Sequence, residues 1–198
     1  MEPVPRLVGR QRDPRTDLAA VDAVLDLVAA GATLSGLSLV TIAERAGVSR
    51  NTLYRRWKTK DDLYLDVLGA INRPLPGFDG PTARDDMIAQ LAVLIERAID
   101  GRASGMVRAL LAEAAAFPEV HRRYFDEVVT PRREAMYRTI RRGIAAGEIR
   151  ADADVALVNE MLTGPILARA GSGATEDLDP AETSRRIVDL VLEGIHSR

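Results

Sequence analysis

An all-α chain is predicted, on three observations. Apolar residues recur at three- and four-residue steps over most of the 198 residues, the period of a helix with one buried face. Aromatics are only 4% of the chain, so the core is built from Leu, Val, Ile and Ala, and the Ala/Leu-rich stretches favour helix. Gly and Pro fall mostly between the periodic segments, where they act as stops and starts. A hydrophobic share of 46% with 28% charged residues is that of a folded globular chain.

The elements follow in order. Residues 1–15 carry Pro3, Pro5 and Pro14 among Arg6, Arg10, Arg12 and Arg15, and read as a flexible basic arm. Thr16 is placed as the cap of a first helix to about residue 30, with Leu18, Val21, Leu25 and Val28 on one face. Ser38 opens a short second helix through Ala46, Gly47 allows a sharp turn, and Ser49 caps a third helix ending near Trp57. Thr59, with Asp62 three residues on, makes an acidic variant of the capping box for a fourth helix to about residue 72. The segment 73–81 is dense in Pro and Gly and is taken as the boundary between a first domain, 16–72, and a second, 82–198.

The second half reads as helical throughout. Helices are predicted over 82–100 and 104–117, then over a long segment from Pro118 to about residue 146 that Pro131 bends or interrupts. Asp152 or Asp154 caps a helix to about residue 170 containing Pro165. A loop follows over 171–177, and Asp179, Pro180 and Glu182 open a last helix to about residue 196.

Charge divides unevenly along this framework. Residues 1–60 hold ten Arg/Lys against six acids, and residues 61–198 hold seventeen against twenty-three. The basic charge concentrates between Thr41 and Lys60, with six cations, both lysines of the chain among them, against Glu44 alone. A helix–Gly turn–helix with a basic, hydroxyl-rich second helix suits the major groove of DNA. Arg50 can donate two bonds to guanine, Asn51 can pair with adenine, and Thr52 can meet a phosphate or a thymine methyl. Ser38, Thr41, Ser49, Tyr54, Arg55 and Lys60 are the further candidates, chiefly for phosphates, while Leu53 and Trp57 face the core.

Other chemistries find little support. Without cysteine there are no disulfides or thiolate metal sites, and His121 and His196 make no obvious metal or catalytic cluster. No cofactor and no enzymatic activity are expected. No apolar run reaches membrane-spanning length and no secretory leader is read, so a cytoplasmic location is expected. The competing readings are a helical ligand-binding or interaction protein without a DNA role, or a small helical enzyme.

The stretch TIAERAGVSRNTLYRRWKTKDDL resembles the helix-turn-helix of the TetR family of bacterial transcriptional regulators. The residues that carry the likeness are Ile42-Ala43, Ala46-Gly47-Val48-Ser49, Thr52-Leu53-Tyr54, Trp57 and Lys60; Ala146-Gly147-Glu148-Ile149-Arg150 adds weaker support. Three positions depart from the usual pattern. Trp57 replaces the commoner Phe and should change packing only, Asn51 stands where a small residue is frequent, and Val40 where a polar one is common.

The resemblance implies a homodimeric, ligand-responsive regulator, most often a repressor, that binds a double-stranded palindromic operator. It implies that the second domain binds a small-molecule effector and dimerises through its last two long helices. Seam candidates are Val155, Val158, Leu162, Ile187, Val191 and Ile195. Pocket candidates are Met87, Leu91, Met106, Leu110, Phe117, Tyr124, Met136, Tyr137 and Met161, with Glu113, His121 and Asn159 as polar anchors.

Overall fold

The computed structural model describes residues 14–72 and 77–194. Among the described residues there are ten α-helices: α1 Pro14–Ala29, α2 Leu39–Ala46, α3 Arg50–Arg56, α4 Lys60–Ile71, α5 Ala83–Ile99, α6 Gly101–Ala112, α7 Pro118–Tyr124, α8 Thr130–Ala145, α9 Val155–Ser172 and α10 Pro180–Glu193. A π-helical turn, Phe125–Val129, joins α7 to α8. Among the described residues there is no strand, and no helix is long and apolar enough to cross a membrane.

Caps set the first half, each within a few residues of sequence. Ser38, Ser49 and Thr59 have extended backbones, and their side chains accept from the amides of Thr41, Thr52 and Asp62. Thr59 and Asp62 complete the reciprocal capping box. Each such cap stabilises its helix by roughly 0.5–2 kcal/mol. Gly47 sits at φ 66°, in the left-handed region, and its N–H meets the carbonyls of Ala43 and Glu44. That conformation is costly for a residue with a Cβ, so the α2–α3 turn needs glycine here.

Several boundaries differ from the sequence reading. Pro14 rather than Thr16 starts α1, in the first turn, where a missing N–H costs nothing. The candidate arm lies outside the described residues up to position 13, and Ile195 does so as well. Asp100 ends α5 and caps α6 through the amides of Arg102 and Ala103, so α6 begins earlier than expected. Of the two aspartates before α9, Asp154 is the cap, while Asp152 pairs with Arg150. The α-helical run from Pro118 is interrupted just before Pro131, as expected, and Pro131 sits in the first turn of α8. The widened turn ahead of it, where Thr130 N–H reaches back to Phe125 O, accommodates a residue that cannot donate and whose ring crowds the preceding turn.

Two apolar cores result. One joins α1–α4 to α6 and α7, with Met106, Leu110, Phe117 and Val120 packed among Leu34, Leu53, Leu63 and Tyr64. The other surrounds α5, which lies against α8, α9 and α10, and includes Met87, Leu91, Ile140, Leu162 and Val188. The N-terminal helices are thus seated on α6 and α7 through α1 and α4. Polar ties reinforce that seat. Glu113 accepts from the amides of Leu34 and Ser35 at 2.6 and 2.9 Å, and the Tyr64 hydroxyl donates to Leu34 O at 2.7 Å. Desolvation pushes the Glu113 carboxyl upward. The bonds from Ser35 and Leu34 and the nearby Lys60 charge outweigh it and hold the group below its ordinary value.

Candidate nucleic-acid interface and effector pocket

The first turn of α3 projects its polar residues because the opposite side is anchored. Leu53 is fully buried and Trp57 nearly so. The Trp57 indole N–H donates to Asp66 Oδ2 on α4 at 2.8 Å. The substitution of Trp for Phe therefore does more than alter packing: it adds a polar bond between α3 and α4, which a phenyl ring could not make.

From this anchored helix Arg50, Asn51, Tyr54 and Arg55 are exposed, with Ser49 beside them and Thr52 half-buried. Arg50 Nη2 lies 2.7 Å from Glu44 Oε1 across the turn. Both partners are well exposed, so the pair is worth little and a phosphate or base edge can displace it at small cost. Ser38 and Ser49 hold their caps, and their hydroxyls also meet those of Thr41 and Thr52, each at 2.8 Å. Ser38 and Thr41 at the start of α2 are exposed as well.

Lys60 has a different occupation from the one expected of it. Its Nζ donates to the carbonyls of Leu34 and Ser35 at 3.1 and 2.9 Å, and stands 5.6 Å from the centre of the Phe117 ring. The side chain ties α4 to the loop before α2 and to Phe117 just ahead of α7. Lys60→Ala is accordingly expected to lower thermal stability by about 1–3 kcal/mol, since hydrogen bonds to a charged group are lost. DNA titrations over a range of salt concentrations should give that variant an unchanged slope, because no phosphate contact disappears.

The second concave feature is a cavity of about 310 Å³ between α5, α8 and α9, near the lower end of the usual size for small-molecule sites. Leu91, Tyr124, Met136, Tyr137 and Asn159 line it as expected. Met87, Met106, Leu110 and Phe117 do not: they are buried in the two cores. Met161 is 48% exposed on the outer side of α9. Glu113 serves the loop at Leu34 and Ser35, and His121 stacks on Phe125 with ring centres 4.6 Å apart.

The lining residues missed in the sequence are Gln90, Val93, Leu94, Arg97, Val129, Arg132, Arg133, Glu160, Thr163 and Leu167. The apolar stripe of α5 is wide enough for two faces, with Met87, Leu91 and Ile95 in the core and Gln90, Leu94 and Arg97 toward the cavity. The signal available was that second face: positions three and four apart, offset by one from the core stripe. Burial lowers the Arg97 pKa from its ordinary value, with the nearby Tyr124 and Asp100 acting in the opposite direction. Burial likewise raises that of Tyr124.

The expected seam residues also turn inward. Leu162 is fully buried, and Val155, Val158, Ile187 and Val191 pack against the core. α9 presents three distinct surfaces: this core face, a cavity face with Glu160, Thr163 and Leu167, and an outer face with Leu157 and Met161.

Both halves of the chain match known proteins. Residues 33–67 match the family model described as bacterial regulatory proteins of the tetR family, and residues 79–191 match the tetracyclin repressor-like C-terminal domain. An HTH-type transcriptional regulator of Bacillus subtilis strain 168, YdeS, is 28% identical over 165 residues, which is 81% of each chain. Among solved structures, MexZ, a repressor responsible for antibiotic resistance in Pseudomonas aeruginosa, shares the fold with a TM-score of 0.73. It is 21% identical, and the match covers 93% of this chain and 96% of that one. FadR of Bacillus subtilis, solved in complex with stearoyl-CoA, gives a TM-score of 0.70 at 19% identity, covering 90% and 99%. With more than half of its length matched by the C-terminal family model and its helix-turn-helix by the N-terminal one, the chain belongs to the TetR family of bacterial transcriptional regulators.

Proposed function

We propose that the protein is a cytoplasmic homodimeric repressor that reads a palindromic DNA operator and releases it when a small molecule enters the cavity beside α5. The observation that carries this reading is the exposed first turn of α3, held rigidly from behind by Leu53 and Trp57. Arg50, Asn51 and Thr52 address bases, and Ser38, Thr41, Ser49, Tyr54 and Arg55 address phosphates. One seven-residue helix reads too few base pairs for a specific site. A two-fold pair spaced about one helical turn, roughly 34–36 Å, doubles the sequence read.

The dimer surface in this reading is the outer face of α9 with the neighbouring part of α10. Leu157, Met161 and Leu190 are each about half exposed there, whereas the seam first expected is occupied by the subunit's own core. Repression and effector release are supported by the family membership and by MexZ, a repressor with the same fold.

The test is DNA binding by single variants on a selected operator. Asn51→Ala is expected to relax preference at one base pair per half-site by about 1–3 kcal/mol while leaving the salt slope intact. Arg50→Ala should relax a neighbouring position by a similar amount. If both variants select the same sequences as the wild type, α3 does not read bases in the way proposed.

A further inference from the structure

The cavity beside α5 is lined by apolar and aromatic side chains together with Gln90, Asn159, Glu160, Thr163 and three arginines. Arg97 from α5 and Arg132 from α8 both line it, and both guanidiniums also reach Asn72 at the C-terminus of α4. Arg97 Nη1 donates to Asn72 Oδ1 at 3.0 Å and Arg132 Nη2 donates to the same oxygen at 2.5 Å. Arg97 Nη2 reaches the carbonyl of Ile71 at 3.5 Å. Among the described residues Arg97 forms no ion pair, and its acceptors are a side-chain amide and a backbone carbonyl. Arg133 adds a third cation to the lining, against one carboxylate, Glu160, which is exposed on α9.

This is an unusual way to hold a half-buried guanidinium. Neutral acceptors return only part of its lost hydration, whereas a carboxylate or phosphate offers charge-assisted, often bidentate bonds of roughly twice the strength. We infer that the cavity takes an amphipathic anion, with its apolar body along Leu91, Leu94 and Met136 and its carboxylate or phosphate head on Arg97 and Arg132, and that the head displaces Asn72. The inference rests on the effector-pocket reading above and adds the chemical class of the effector and the contact that transmits its arrival.

The transmission follows from what α4 touches. Asn72 closes its last turn. The first turn is fixed to the loop before α2 through Lys60, and Tyr64 one turn later bonds the same loop. Asp66 at mid-helix holds Trp57 at the end of α3. α4 is therefore a bar with the recognition helix attached to its middle and the pocket arginines gripping its far end. An anion that takes both guanidiniums frees that end, and by linkage it weakens DNA binding by the same factor that DNA weakens anion binding.

The test uses the full-length protein and four probes that share a decyl chain: decanoate, decyl phosphate, decanol and decyltrimethylammonium, each below its micelle concentration. Calorimetric titration without DNA is expected to give saturable binding of at least one of the two anions, at least about tenfold tighter than decanol, with no saturable binding of the cation. The tighter of the two anions identifies the head group. Arg97→Met should weaken the anion about tenfold or more and leave decanol unchanged, while Arg97→Lys keeps part of the preference. Asn72→Ala should retain anion binding but lose most of the anion-induced release of DNA. Equal affinities for anion and alcohol in the wild type, or no binding of either anion, overturn the assignment without recourse to any variant. DNA binding in the absence of probe is measured separately, so failure of the regulator reading is told apart from failure of the anion site.

Discussion

A double substitution of Leu157→Asp and Met161→Glu is expected to yield a monomer that binds operator at least about a hundredfold more weakly. Both residues lie on the outer face of α9, 53% and 48% exposed, with Leu190 at 56% on α10. A half-exposed apolar strip of this kind on paired long helices is what a monomer usually avoids and a partner surface uses. Burying unpaired carboxylates at a two-fold interface costs several kcal/mol, enough for a hundredfold or greater loss. Neither residue belongs to the apolar core, so the far-UV circular dichroism of the variant should match that of the wild type. Sedimentation equilibrium reads the mass directly. A variant that stays dimeric would place the interface on another surface.

Tyr64→Ala is expected to be the most damaging single substitution between the two halves of the molecule. The side chain is fully buried, its ring meets Phe117 edge-on at 5.4 Å, and its hydroxyl donates to Leu34 O. Burial, with Glu113 and Asp61 nearby, raises its pKa well above the ordinary tyrosine value, so the donor stays protonated throughout the working pH range. Truncating a buried aromatic costs about 3–5 kcal/mol, and for a chain of this size each kcal/mol lowers Tm by roughly 2–4 °C. Tyr64→Phe keeps the ring and loses only the hydrogen bond, for about 0.5–1.5 kcal/mol. Thermal unfolding of the two variants separates ring from hydroxyl. A small shift in the alanine variant would mean that α4 is not anchored through this residue.

The helix-turn-helix was legible because its determinants are local. Ser38, Ser49, Thr59 and Gly47 each act on backbone groups within five residues, and spacing alone reveals them. Lys60 shows the limit of that approach. Its charge was visible, but its direction is set by the carbonyls of Leu34 and Ser35, 26 and 25 residues earlier, which only the folded chain brings near.

The pocket was legible only in part, for the same physical reason. Periodicity identifies Met87 and Leu91 as buried, but not whether a buried residue meets other side chains or a void. That depends on how α5, α8 and α9 pack. Long charged side chains at such a site also escape a search for apolar residues, because their stems pack while their heads reach a polar partner, as those of Arg97 and Arg132 do. α9 misled for a further reason. A helix apolar nearly all round carries no single stripe, so sequence alone could not divide its core face from its outer face.

In this reading α3 of two subunits recognises a symmetric DNA site. The most direct test is to incubate the purified protein with fragments of the genome that encodes it, then recover and sequence the bound DNA. The bound fragments are expected to share an inverted repeat whose half-sites are centred about one helical turn apart, lost from the recovered set when Arg50 and Asn51 are both replaced by alanine. Recovery of fragments with no common symmetric element, or the same element from the double variant, would contradict this reading.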